Sequence, residues 1–497
     1  MSKIKKSGVI TGIILFLLII FFTDLDPSNP QLTIMAAIAV LMAVWWITEA
    51  IPLSVTSLIP LVLFPLFGIL PGDEIAESYI NSVIFLFLGG FMIAIAIEEW
   101  DLHKRIALKI ITYFGGNPTS VIIGFMISCA LLSMWISNTA TAIMMLPIGL
   151  AIIKKLESEY GEQRIHNFSV TILLGMAYAC SLGGIATLVG TPPNLVFLKT
   201  LNIIYPEAPQ IGFGQWMLLG LPISILMLTF TIIILTKFYF KIDKEIRIKK
   251  EFVKEEYKKL GVLTFEQKTV SIVFLITALL WIFRADLNLG FILLPGWNRL
   301  LPYPEFVNDG TVAITMAVIL FFIPAKSKET TLLDQTVFKK IPWGIILLFG
   351  GGFALANGFT STGLTLYVGE KLSNLSSLSP VLIVIITAAI ISFLTELTSN
   401  TAATQMTLPI VASVAVSIGM NPLLLMLTAT FSASMAFMLP VATPPNTIVF
   451  ASDRIRISEM ARAGFALNIA GVIIISLIIY FVGDQLFDLK VFPDWAR

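Results

Sequence analysis

The tripeptide Ser-Asn-Thr occurs twice in this chain, both times inside a long apolar run. Ser137-Asn138-Thr139 lies in SMWISNTATAIMMLPI and Ser399-Asn400-Thr401 in TELTSNTAATQMTLPI. Each is followed by Leu-Pro-Ile and, further on, by Thr-Pro-Pro-Asn. Polar groups inside hydrocarbon are expensive, and chains keep them for function. One such cluster in each half is the mark of a transporter built from two repeats around a central site.

The runs are membrane runs. Of 497 residues, 57% are hydrophobic and 13% charged, against about 25% charged in soluble domains. A net charge of +1 gives no reason to expect a nucleic-acid partner. Cys129 and Cys180 both lie in apolar runs and read as small core residues, not as a disulfide framework or metal site. His103 and His166 are far apart, too little for a zinc site or a catalytic triad. No nucleophile–base set or cofactor loop stands out, so an enzyme is not expected. At the N-terminus Lys3, Lys5 and Lys6 precede an apolar stretch with no small-residue cleavage site after it. It reads as an uncleaved first transmembrane helix.

About 20 apolar residues cross the roughly 30 Å hydrocarbon core. The pattern predicts an all-α polytopic membrane protein with eleven transmembrane helices. They fall near 8–23, 31–47, 52–70, 83–113, 168–201 (broken), 213–237, 270–286, 311–324, 343–360, 422–451 (broken) and 464–485. The runs 119–153 and 380–417 carry the Ser-Asn-Thr clusters. The first would be about 52 Å long as one helix at 1.5 Å per residue. Both are therefore expected as re-entrant hairpins turning at the tripeptide, since non-helical backbone at that depth needs protein or a water-filled cavity around it.

Charge orients the spans. With the N-terminus cytoplasmic, the acidic stretch Asp73, Glu74, Glu77 falls outside. His103, Lys104 and Arg105, then Lys154, Lys155 and Arg164, fall inside, as do Arg454, Arg456 and Arg462. The basic loop 237–268 is inside too, with Lys237, Lys241, Lys244, Arg247, Lys249, Lys250, Lys254, Lys258 and Lys259, and so are Lys326, Lys328, Lys339 and Lys340. Loop 202–212, placed outside, has no Lys or Arg. This is the positive-inside pattern, and it places the C-terminus outside. Five crossings separate the hairpins, so the second is inverted relative to the first: an inverted-topology repeat. The register agrees. Gly89-Gly90-Phe91 recurs as Gly351-Gly352-Phe353 and Ser137 as Ser399, both at an offset of 262. Gly190-Thr191-Pro192-Pro193-Asn194 recurs as Ala442-Thr443-Pro444-Pro445-Asn446 at an offset of 252. The ten-residue difference is assigned to a loop around KKLESEYGEQRIHN.

Thr-Pro-Pro-Asn interrupts its helix, because proline lacks the N–H and clashes with the preceding turn. The half-helix ends present carbonyls that suit a small hard cation and N–H groups that suit an anion. No Lys or Arg lies within the clusters. Gly89-Gly90 reads as close helix packing. Glu396 reads as a structural partner, with proton carriage as the alternative.

These paired motifs resemble the divalent anion/sodium symporter family over nearly the whole chain. The resemblance implies transport of C4 and C5 dicarboxylates such as succinate, malate, fumarate and 2-oxoglutarate. By motif match, Asn138, Thr139, Thr191, Asn400, Thr401, Thr443 and Pro444 would contact substrate. Ser133, Ser137, Asn138 and Gly190 match one sodium site, and Thr395, Ser399, Asn400 and Ala442 the other. It implies a homodimer in the plasma (inner) membrane working by an elevator motion. The scaffold would be 1–113 and 269–375, the transport part 114–240 and 376–490, with 241–268 a cytoplasmic loop. Sodium as coupling ion is the only cofactor implied. Sodium symport and sodium-independent dicarboxylate exchange both fit the residues. A sulfate transporter and an anion channel are the alternative functions.

Overall fold

A computed structural model describes residues 3–243, 245–248, 250–289 and 292–497. Lys244 and Lys249 of the basic loop lie outside the described residues. The first half contains α1 (Lys3–Phe22), α2 (Pro30–Thr48), α3 (Leu53–Thr56), α4 (Ile59–Leu66), α5 (Gly72–Tyr79), α6 (Ser82–Glu99), α7 (Leu102–Tyr113), α8 (Pro118–Ser133), α9 (Asn138–Tyr160), α10 (Glu162–Gly184), α11 (Pro192–Ile204) and α12 (Phe213–Ile233). Then come α13 (Lys250–Lys259), α14 (Phe265–Ile282), α15 (Asp309–Phe322), α16 (Val337–Lys340), α17 (Trp343–Ser361) and α18 (Leu364–Leu372). The chain closes with α19 (Pro380–Leu394), α20 (Asn400–Ser417), α21 (Pro422–Ser432), α22 (Pro444–Phe450), α23 (Ile457–Leu477) and α24 (Asp484–Phe487). Among the described residues β-structure is confined to a short antiparallel pair, Leu287–Asn288 with Leu293–Leu294, and two isolated bridges. Nine helices among the described residues are long and apolar enough to cross a membrane.

Three expectations change. The single span expected at 83–113 is two helices that part at Asp101, whose backbone is left-handed (φ 52°). The reason is charge: α7 carries His103, Lys104, Arg105 and Lys109 in 12 residues, too many for hydrocarbon. Arg105 is instead buried against the segment before α14, donating to the carbonyls of Leu260 (2.8 Å), Gly261 (3.0 Å) and Val262 (3.1 Å) and to Gln267 Oε1 (2.8 Å). The span expected at 52–70 is α3 and α4, because Pro60 falls in the first turn of α4, where proline begins a helix better than it continues one. The ten extra residues of the first half are mostly helix, not loop. Helices α9 and α10 have 23 residues each, against 18 and 11 in α20 and α21. They meet at Gly161, whose φ of 84° gives the sharp reversal.

The repeat is visible in the backbone. Helices α8 and α9 part at 134–137 and α19 and α20 at 395–399, each pair forming a helix–turn–helix at Ser-Asn-Thr. Helices α10 and α11 are separated by 185–191, and α21 and α22 by 433–443, each break ending at Thr-Pro-Pro-Asn. The last long helix of each half, α12 and α23, widens into a π-helical turn at Ile234–Tyr239 and Ile478–Gly483. The paired glycines do pack helices. A Cβ on Gly89 would lie 2.6 Å from the Ala313 backbone on α15, and one on Gly351 2.5 Å from the Ser57 carbonyl. Beside that seam, Arg284 Nε pairs with Asp309 Oδ1 at 2.5 Å with both side chains buried. Asp309 also accepts from Phe213 N at 3.1 Å. One carboxylate thus ties α12 and α15 to the end of α14.

Candidate substrate and cation site

Each helix–turn–helix is closed by its own side chains. Ser137 Oγ accepts from Ala140 N at 3.1 Å, and Ser399 Oγ accepts from Ala402 N at 3.2 Å. These are N-caps, which satisfy donors that the first helical turn leaves free. Asn138 and Asn400 are the first helical residues after them. Ser133 donates its hydroxyl proton to the Cys180 carbonyl at 2.7 Å and packs against Asn138 Oδ1. Thr395, in the matching place, donates to the Ala433 carbonyl at 2.8 Å and lies 2.7 Å from Asn400 Oδ1. Each turn is therefore tied to the broken helix of its own half, the first at Cys180 in the last turns of α10 and the second at Ala433, just past α21 and one residue off the 252 register.

The asparagine of each Thr-Pro-Pro-Asn holds the break in shape. Asn194 Nδ2 donates to Gly184 O (3.2 Å) and Thr187 O (2.7 Å). Asn446 Nδ2 donates to Ala436 O (3.2 Å) and Leu439 O (3.1 Å). The donors and all four acceptors keep the offset of 252. Buried carbonyls freed from a helix need partners, and this amide supplies them in both halves.

In the first half, oxygens converge on two glycines. A Cβ on Gly190 would lie 2.5 Å from Gly184 O and 3.0 Å from Ser133 O. One on Gly184 would lie 2.6 Å from Asn138 Oδ1 and 3.0 Å from Gly190 O. Three carbonyls and an amide oxygen within that reach are hard, neutral donors of the kind sodium takes. In the second half Ala436 and Ala442 stand where the first has Gly184 and Gly190. There Thr395 Oγ1, Asn400 Oδ1 and Ala433 O are the oxygens brought together.

The halves interlock across this region. Helix α9, which starts at Asn138, packs on α22, which starts at Pro444; α11, which starts at Pro192, packs on α20, which starts at Asn400. Buried Tyr178 on α10 donates its hydroxyl to Phe437 O in the second break at 2.8 Å. Asn138 and Thr139 are partly exposed, Thr191, Thr401 and Thr443 are buried, and Pro444 is exposed.

Sequence reasoning missed four contributors. Gly184 precedes the break, and its signal was the match to Ala436 at the same offset of 252. Asn194 and Asn446 stood inside the quoted motif without a role. Asn468 donates Nδ2 to Glu396 Oε1 at 2.8 Å. Glu396 also accepts from the backbone N–H of Phe437 (2.6 Å), Met438 (2.9 Å) and Leu439 (3.1 Å). That is the structural role expected of it: a carboxylate capping three successive amides of the second break. The first half has Met134 at the equivalent position.

Repeated helix–turn–helix and broken-helix units in an apolar helical protein define the class of membrane transporters built on internal repeats. The chain belongs to the family described as the sodium:sulfate symporter transmembrane region, whose profile matches residues 4–489. It is 42% identical over 482 residues, 96% of this chain and 90% of the relative, to the sodium-dependent dicarboxylate transporter SdcS of Staphylococcus aureus strain NCTC 8325. SdcS of strain COL matches equally well. Two solved structures share the fold. Neisseria gonorrhoeae MtrF, from a class of antimetabolite efflux pumps, aligns with a TM-score of 0.55 at 13% identity, over 82% of this chain and 84% of that one. The YdaH transporter of Alcanivorax borkumensis gives 0.54 at 11% identity, over 82% and 87%.

Proposed function

We propose that this protein is a secondary transporter of C4 and C5 dicarboxylates, with sodium as the coupling ion. The observation that carries the reading is the doubled site: two pinned Ser-Asn-Thr turns, each locked to a proline-broken helix and packed against the other half. Near-complete alignment at 42% identity to a sodium-dependent dicarboxylate transporter supports the substrate class and the ion. In this reading Asn138, Thr139, Thr191, Asn400, Thr401, Thr443 and Pro444 face the carboxylates. Sodium held at Ser133, Ser137, Asn138 and Gly190, and at Thr395, Ser399, Asn400 and Ala442, supplies positive charge that the side chains lack. Ser137 and Ser399 act there through their caps.

The helix–turn–helix units are re-entrant hairpins of opposite orientation, among eleven spans with a cytoplasmic N-terminus and an external C-terminus. Residues 114–240 and 376–490 form the part that moves past a scaffold of 1–113 and 269–375, in a homodimer in the plasma membrane. Asymmetry between the repeats supports alternating access. Ile143 on α9 is 57% exposed, while its counterpart on α20, Gln405, is buried and donates Nε2 to Leu348 O of α17 at 2.8 Å. At this position one arm is packed on a neighbour and its twin is open, as expected of a protein caught on one side of its cycle.

The test is competition in proteoliposomes. Uptake of labelled succinate should be suppressed by unlabelled succinate, malate, fumarate and 2-oxoglutarate and left intact by sulfate. Suppression by sulfate alone would assign an inorganic dianion instead. Non-saturable current would assign a channel.

A further inference from the structure

One face of α9 stays open from the candidate site outward. Ile143, Pro147, Ala151 and Lys154 are exposed at steps of four, four and three residues, the spacing that puts side chains in one line along a helix. Thr139 begins that line. Ile143, Pro147, Leu150 and Lys154 line a groove of ≈ 460 Å³ whose opposite wall includes Ile448 of α22. Both walls start at site residues, α9 at Asn138 and α22 at Pro444. The groove thus starts at Ile143, one helical turn beyond Thr139, and ends at a lysine.

Lys155 pairs with Glu159 at 3.4 Å, and Arg454 forms a two-pronged pair with Glu157. Lys154 is exposed and has no ion-pair partner among the described residues. The rest of the groove is apolar. An unpaired cation at the mouth of a low-dielectric passage concentrates anions there, because apolar walls focus its field. On α20 the same line reads Gln405, Pro409, Ser413 and Val416: the first three are buried, and the position of Lys154 is held by valine.

We propose that Lys154 is the carboxylate-attracting residue at the inner mouth of the substrate passage, and that the symmetry-related arm gives the outer mouth no counterpart. The inference rests on the transport reading above and on the cytoplasmic placement of Lys154. It makes the two faces unequal: the protein captures dicarboxylate from the inner side with the help of a fixed charge and from the outer side without it. Lys154 is a positioning residue, since its place on the helix is four turns from Asn138.

The experiment measures succinate transport from each face, with intact cells for the outer side and inside-out vesicles for the inner side. Wild type, Lys154→Gln, Lys154→Arg and Lys155→Gln are compared. For Lys154→Gln the inner-face KM should rise about three- to tenfold, as expected for one charge acting on a dianion. Its maximal rate and outer-face KM should stay at wild-type values, which also reports that the variant is folded. Lys154→Arg should restore the inner KM, and Lys155→Gln should leave it unchanged. Added salt should raise the inner KM of wild type and not of Lys154→Gln. An inner KM unaffected by Lys154→Gln, or changed equally at both faces, overturns the inference while leaving the transport reading standing. Wild type that moves no succinate from either face overturns the transport reading itself.

Discussion

Asn138→Ala and Asn400→Ala should each reduce dicarboxylate uptake by about 100-fold or more while the protein still folds. Each asparagine opens its helical arm and sets its amide against the hydroxyl of Ser133 or Thr395. The hydroxyls keep their second partners, the carbonyls of Cys180 and Ala433. Alanine therefore leaves no buried donor stranded, and the structural cost stays near 1 kcal/mol. Function loses more. In the proposed site the same amide serves a carboxylate and a cation, and hydrogen bonds to charged groups contribute about 1.5–3 kcal/mol each. Initial uptake rates set against thermal unfolding of the purified variants separate the two effects. Wild-type uptake by both variants would refute the assignment of the site.

Glu396→Ala should have the largest effect on stability. The carboxylate accepts from three consecutive backbone amides and from Asn468. Removing it strands four donors, those of Phe437 and Asn468 fully buried, where no helix can take them up, and breaking one side of such a charged network costs about 3–5 kcal/mol. Glu396→Gln keeps one acceptor oxygen and should lose less. The readout is thermal unfolding in detergent, with protein yield as a second measure. An alanine variant that unfolds at the wild-type temperature would contradict the capping role.

Much of this was legible in the chain because repetition filters noise. A single Ser-Asn-Thr or Pro-Pro in an apolar run carries little information. Two of each at offsets of 262 and 252 mark which positions are equivalent, and the structure places Ser133 with Thr395, Asn138 with Asn400 and Asn194 with Asn446 in matching contacts. The breaks at Thr-Pro-Pro-Asn were readable because proline's effect on a helix is local. What escaped was non-local. The capping of 437–439 by Glu396 joins residues about 40 apart, and no local pattern announces it. Gly184 matters only because Asn138 and Gly190 come against it. Span boundaries failed where hydropathy blurred two helices into one: the charges of α7 were visible in the sequence, but the left-handed turn at Asp101 that separates it from α6 was not.

The two halves also differ in ways the sequence states without explaining. Gly184 and Gly190 give way to Ala436 and Ala442, and Met134 to Glu396. The first break is lined by oxygens around two glycines, the second is braced by a carboxylate. The proposed site, assembled from two such halves, is symmetric in backbone and unequal in chemistry.

The most direct measurement is uptake of labelled succinate into proteoliposomes of the purified protein, with and without an inward sodium gradient, each with and without internal dicarboxylate. The account predicts concentrative uptake that requires the sodium gradient and proceeds with no dicarboxylate inside. Uptake that ignores sodium and appears only when dicarboxylate is present inside would contradict sodium coupling. No uptake under any of the four conditions would contradict dicarboxylate transport altogether.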